Sequence, residues 1–166
     1  MKHLWLVRHA KSSWKDPSLG DFHRPLNKRG LSDAPEMGRR LAAGPARPEL
    51  LVSSPAVRAK TTAEYIAAAL EYPAEDIRWE ERIYHASTLE LIRLLRQMVD
   101  DIESAMFFGH NPTMTDAANV LSGSSIENVP TCGVVQLHLD IPSWARVADG
   151  VARLLDFDYP KRKARE

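Results

Sequence analysis

Three compact apolar runs, at 4–7, 50–52 and 105–108, constrain this chain more than any other feature. Runs this short, apolar at every position, are the pattern of strands buried on both faces. Each is closed by polar or Gly/Pro punctuation and followed by residues with helical spacing, which predicts helices over 28–43, 56–70 and 112–121. Pro35 falls inside the first of these, so that helix is expected either to begin at Ser32 or to kink. A short strand is predicted over 77–79. A further helix is predicted over 88–99, with Leu91, Ile92, Leu95, Met98 and Val99 on its apolar face. Asn111 and Pro112 read as the N-cap and first-turn residue of the last helix.

From 134 to 140 the pattern changes to strict alternation, with Val135, Leu137 and Leu139 facing one way, as expected of a strand nearer a sheet edge. Residues 151–157 are its expected hairpin partner. The fold class that follows is α/β: a three-layer sandwich with a mostly parallel central sheet, helices on both faces and an antiparallel edge near the C-terminus. A chain of 166 residues without repeats or linkers is expected to form one domain over 1–160, with a charged tail at 161–166.

Twenty-two basic and twenty-two acidic residues cancel, so no net field draws the chain to nucleic acid or an anionic membrane. No run approaches the roughly 20 apolar residues that cross a bilayer. The single cysteine, Cys132, has no intrachain partner, which suits a reducing, cytoplasmic location. An anionic ligand must therefore be held by a local cluster of positive groups.

Such a cluster is predicted from the layout. Arg8 and His9 follow the first strand, Arg58 lies in the first turn of the helix after the second, and His110 follows the third. Ligands of open α/β sheets bind outside the carboxyl ends of the strands, so all of these belong on one rim, beside two helix N-termini. Guanidiniums, imidazoles and free N–H groups together suit a tetrahedral dianion. Neutral imidazole can serve as the in-line nucleophile of phosphoryl transfer.

Elsewhere the chemistry-bearing residues lack partners. His23 and His85 have no companion at metal-ligand spacing, so neither a metal nor another cofactor is expected. His138 stands where a cysteine-phosphatase loop built on Cys132 would need arginine. No nucleotide-binding P-loop is present.

The segments Leu6-Val7-Arg8-His9-Ala10, Ser53-Ser54-Pro55-Ala56-Val57-Arg58-Ala59-Lys60-Thr61-Thr62 and Gly109-His110-Asn111-Pro112, taken in order, resemble the histidine phosphatase superfamily. With Arg24-Pro25-Leu26-Asn27-Lys28-Arg29-Gly30 between the first two, they look like its small branch of SixA-type protein-histidine phosphatases. That resemblance implies His9 as the phosphorylated nucleophile and Arg8, Arg58 and His110 as the phosphate pocket. Arg24 and Asn27 join as further substrate-binding candidates, Arg24 either lining the pocket or tying down the 11–27 loop. Glu81 falls where larger members carry a proton-donating glutamate, or is a solvated charge. Ala10 stands where many members have glycine, which requires negative φ at that position. The expected partner is a phosphorylated protein carrying phosphohistidine. The alternatives are a small-molecule phosphatase or mutase of the same superfamily and a non-catalytic phosphate-binding module.

Overall fold

A computed structural model describes residues 1–162. Residues 163–166 of the expected charged tail lie outside the described residues. The first apolar run forms β1 (Lys2–Arg8), in which Leu4 and Leu6 face one side and Trp5 and Val7 the other, all buried. It lies in the interior of a six-stranded sheet of order β3-β2-β4-β1-β5-β6, where β2 is Leu50–Ser53, β3 Arg78–Trp79, β4 Ser104–Gly109, β5 Val134–Leu139 and β6 Ala152–Asp158. β1, β4, β2 and β3 pair in parallel, while β5 pairs antiparallel with both β1 and β6. The parallel sheet with an antiparallel edge expected from the sequence is what forms.

Helices cover both faces. Trp5, Val7, Leu51, Met106 and Phe108 pack beneath α1 (Lys28–Ala43) and α2 (Val57–Ala69). Leu4, Leu6, Val52, Phe107, Val135 and Leu137 pack beneath α3 (Thr88–Arg96) and α4 (Thr113–Ser122). Burying such strands on both faces removes apolar area worth about 25 cal/mol per Å2, which is why continuous apolar runs form the centre of the sheet.

Two expectations about helix ends need correction, while α1 spans the expected residues 28–43. α1 starts at Lys28, ahead of both Ser32 and Pro35, and continues through the proline. Asn27 sets that start, its side-chain oxygen accepting the Gly30 N–H at 2.8 Å. Gly30 is required there, because a Cβ would collide with the carbonyl of Lys11, which also accepts the Asn27 N–H at 2.9 Å. α3 carries a Ser87/Glu90 capping box but ends at Arg96, so Met98 reaches the core from a turn and Val99 is 65% exposed. The chain leaves the helix because Asp100 is fixed elsewhere. Its carbonyl accepts from the buried Lys2 ammonium at 2.7 Å, and its carboxylate takes the Trp144 N–H at 3.0 Å. α4 begins at Thr113 with Pro112 at the cap position, and Asn111 acts one residue earlier, accepting from the N–H and hydroxyl of Thr115 at 3.2 and 3.0 Å.

Candidate active site

The parallel strands end together. β1 delivers Arg8 and then His9, β2 leads through Ser53-Ser54-Pro55 into α2, and β4 delivers His110. The main chain of His9 is tied on both sides, its N–H to the Gly109 carbonyl and its carbonyl to the Cys132 N–H, each at 3.0 Å. The next N–H, of Ala10, donates to Thr62 Oγ1 at 2.9 Å, and that hydroxyl donates to the Arg58 carbonyl at 2.7 Å. The strand end carrying His9 is thus fastened to the helix turn carrying Arg58. Ala10 keeps a negative φ, since the positive-φ non-glycine residues among those described are Glu71, His85 and Cys132.

His9 is buried, and its Nδ1 lies 2.7 Å from the Ala10 carbonyl oxygen. A carbonyl only accepts, so Nδ1 carries the hydrogen and Nε2 the lone pair. Burial lowers its pKa to about 4, with the Arg58, Arg8 and Arg24 charges pushing the same way against the Ala10 hydrogen bond. The imidazole is therefore neutral at neutral pH. The His110 ring centroid lies 5.2 Å from that of His9. His110 Nε2 is 2.8 Å from Ser54 Oγ, and its Nδ1 is buried without a hydrogen-bond partner among the described residues. Burial first, then the nearby His9 and Arg58, lower its pKa to about 3.

The charges of Arg58, Arg8 and Arg24 all reach the His9 ring. Arg8 donates from Nη1 to the Val129 carbonyl at 3.0 Å, while its buried Nε has no partner among the described residues. Arg58 and Arg24 are both buried and both bind Asp21, in the 3-10 turn Asp21–His23. Arg24 also donates from Nε to the Ser13 carbonyl at 3.2 Å and from Nη2 to Ser12 Oγ. Its guanidinium lies 3.3 Å from the ring of Trp14, which is 74% exposed. Arg24 therefore both braces the 11–27 loop and reaches the cluster. Arg58 and His110 line one end of a cavity of about 620 Å3 whose other wall includes Tyr84, His85, Thr113 and Asp116. A larger cavity of 730 Å3 lies between α1 and strands β5 and β6, and none of the basic groups around His9 lines it.

The remaining sequence candidates sit differently. Asn27 is at the start of α1, with its oxygen used as the cap. Glu81 is exposed on the 3-10 turn Glu81–Ile83 and does not line the cavity, while its neighbour Glu80 is paired with Arg82 at 2.9 Å. Among the described residues, no three His, Cys, Asp or Glu side chains form a group that could hold a metal ion. Sequence reasoning missed Asp21, Ser54, Thr62 and Tyr84. Ser54 and Thr62 stand inside a quoted segment, but nothing in the sequence marked which of its hydroxyls face inward. Asp21 is separated from Arg58 by 37 positions and Tyr84 from Asp21 by 63, beyond any local pattern.

His9, Arg8, Arg58 and His110 thus stand together at the carboxyl rim of the parallel sheet, with Nδ1 of His9 hydrogen-bonded and the lone pair on Nε2. The chain belongs to the histidine phosphatase superfamily (branch 1), which it matches over residues 4–88. It is 32% identical over 151 residues to an uncharacterized chloroplastic protein of Arabidopsis thaliana, covering 86% of this chain and 69% of that one. It is 31% identical over 165 residues to an uncharacterized protein of Mycobacterium tuberculosis, covering 93% and 100%. Among solved structures it resembles a SixA protein from Agrobacterium tumefaciens, with a TM-score of 0.80, 28% identity and coverage of 96% and 98%. It shares the fold of a protein histidine phosphatase SixA complexed with tungstate, with a TM-score of 0.81, 18% identity and coverage of 95% and 97%.

The two depressed imidazoles have a consequence for stability. An unfolded histidine binds a proton near its ordinary 6.5, whereas folded His9 and His110 do so only near 4 and 3. Below pH 6.5 the unfolded chain takes up protons that the native state refuses, so stability falls as the pH falls from about 6.5 toward 4. Urea unfolding at pH 7.5 and pH 5 should show a lower midpoint at pH 5. The double variant His9→Asn/His110→Asn should lose most of that difference.

Proposed function

We propose that this protein is a phosphohistidine phosphatase that takes a phosphoryl group from a histidine of another protein onto Nε2 of His9 and passes it to water. The observation that carries this reading is the fixed His9 tautomer, with Nδ1–H on the Ala10 carbonyl and the lone pair on Nε2, under the positive charges of Arg58, Arg8 and Arg24. In the first step Nε2 attacks phosphorus, the substrate's P–N bond breaks, and its imidazole departs neutral if its other nitrogen is already protonated. In the second, water attacks the phosphoimidazolium of His9. The ring recovers its lone pair with Nδ1–H intact, and both water protons leave with the product as dihydrogen phosphate. Arg8, Arg58 and His110 hold the equatorial oxygens, whose charge the guanidiniums meet in a bidentate manner. As the dianion enters, it raises the pKa of His110 and favours the donor form.

A neutral leaving imidazole has little need of a general acid, and of the two nearby glutamates Glu80 is paired with Arg82 and Glu81 is exposed. An alkyl phosphate, by contrast, leaves as a strong base and forgoes the roughly 10²- to 10⁴-fold that a positioned acid supplies. This supports a protein phosphohistidine over a small alkyl phosphate such as a phosphoglycerate. The same reading places the enzyme in a reducing, cytoplasmic setting, where Cys132 stays a buried free thiol. Measured side by side, kcat/KM should favour a phosphohistidine peptide over 3-phosphoglycerate by about 10²-fold or more. Equal or reversed values would instead identify a small-molecule phosphatase.

A further inference from the structure

The reaction drawn above makes no use of Asp21, yet this carboxylate is among the most heavily bonded side chains near the site. Arg58 donates from Nη1 to its backbone carbonyl at 2.7 Å and from Nη2 to Oδ2 at 2.9 Å. Arg24 donates from Nη1 to Oδ1 at 3.0 Å, and the Tyr84 hydroxyl donates to Oδ2 at 2.6 Å. These partners come from α2, from the segment before α1, and from the turn before α3, so one carboxylate ties together three otherwise separate pieces of chain. The Tyr84 hydrogen bond, then those of Arg58 and Arg24, hold the Asp21 carboxyl well below the usual carboxylate range. It is a permanent anion at neutral pH and no source of protons.

A guanidinium carries five N–H groups in one rigid plane. Asp21 takes one from each terminal nitrogen of Arg58 and leaves others of the same plane unused. Because the plane is rigid, fixing two N–H directions fixes the others. Rotating Arg58 would break both a carbonyl contact and a charge-assisted bond, of the stronger class of protein hydrogen bonds. We propose that Asp21 is a positioning residue, which locks the Arg58 plane so that N–H groups it leaves unused meet the phosphoryl oxygens, and fastens Arg24 and Tyr84 to the same anchor. It acts through the arginines and does not touch substrate. This rests on the phosphoryl-transfer reading of the His9 site. A different role for the same contacts would be that of an internal competitor, an anion occupying the pocket until phosphate displaces it. The two differ in sign.

The test uses the full chain and p-nitrophenyl phosphate, with orthovanadate as a probe of phosphate binding and circular dichroism to confirm folding. A positioning anion predicts that Asp21→Asn lowers kcat by about 10- to 10²-fold, the scale of a small misplacement at a reacting centre, with KM little changed. Asp21→Ala, which keeps the backbone carbonyl contact, should regain part of its kcat when sodium formate is added, and not with sodium chloride at the same ionic strength. Tyr84→Phe, which removes one bond to the carboxylate and leaves both Arg58–Asp21 contacts in place, should show a smaller loss, again in kcat. An Asp21→Asn enzyme with unchanged kcat and tighter orthovanadate inhibition would make Asp21 a competitor and overturn the proposal. So would a folded Asp21→Ala enzyme with low kcat that formate does not restore. A wild-type enzyme inactive on every phosphate tested would defeat the phosphoryl-transfer reading itself, a distinguishable outcome.

Discussion

His9→Ala should abolish turnover on every substrate, by roughly 10³-fold or more, while the protein keeps its fold. The loss is large because the other nucleophiles near the site are poorly placed: His110 has Nε2 against Ser54 Oγ and its Nδ1 buried. Ser53 donates its hydroxyl to the Ser54 carbonyl, and Ser54 is engaged with His110 and with the Ala56 N–H. Cys132 is fully buried, and burial pushes its thiol up to about 12, so the thiolate is scarce at neutral pH. The fold should survive because the bonds that hold this strand end are backbone bonds, to Gly109 and Cys132, and do not involve the imidazole. Wild-type enzyme mixed briefly with substrate and quenched in alkali should carry an acid-labile phosphate, which mass spectrometry should map to His9. Label on Ser53, Ser54 or Cys132 would rule out the mechanism.

Arg58→Ala should lower kcat by about 10²-fold or more on phosphohistidine and aryl phosphate alike, judged from the loss of single transition-state donors and arginine fingers elsewhere. Arg58→Lys should recover little. An ammonium is a point donor, and it cannot hold the two acceptors of Asp21 while also presenting a planar set of N–H groups to phosphate. The change in thermal midpoint should be modest, because the partly exposed Asp21 keeps its contacts with Arg24 and Tyr84. Arg8→Ala should behave similarly, its guanidinium being held, among the described residues, by the Val129 carbonyl. Steady-state kinetics and circular dichroism melts on the same preparations separate the two effects. A lysine variant with near-wild-type kcat would show that charge alone, and not the fork, is what the site requires.

Much of this architecture is legible in local sequence. An apolar run of four residues needs burial on both faces wherever it sits, and the Gly and Pro residues that close such runs act within their own turns, so the strands and the rim follow from neighbours in the chain. Where sequence reading erred, the cause lay farther away. The 88–99 periodicity overran because Val99 fits the helical spacing, but Lys2 and Trp144, from β1 and from the 3-10 turn Trp144–Arg146, hold Asp100 and draw the chain off the helix axis. Pro35 suggested a late start or a kink, yet the Asn27 cap and the close packing of Gly30 on Lys11 set the start instead.

The site divides along the same line. That His9, Arg8, Arg58 and His110 belong at strand ends and a helix start is determined by the sequence alone, because each lies within a residue or two of the element that presents it. Which nitrogen of His9 carries the proton, how far burial lowers the two imidazoles, and that Asp21 binds Arg58 across 37 positions and Tyr84 across 63 were decided only by the tertiary structure. Desolvation and hydrogen bonding act through space over a few ångströms, and no spacing along the chain encodes which distant segments will come that close.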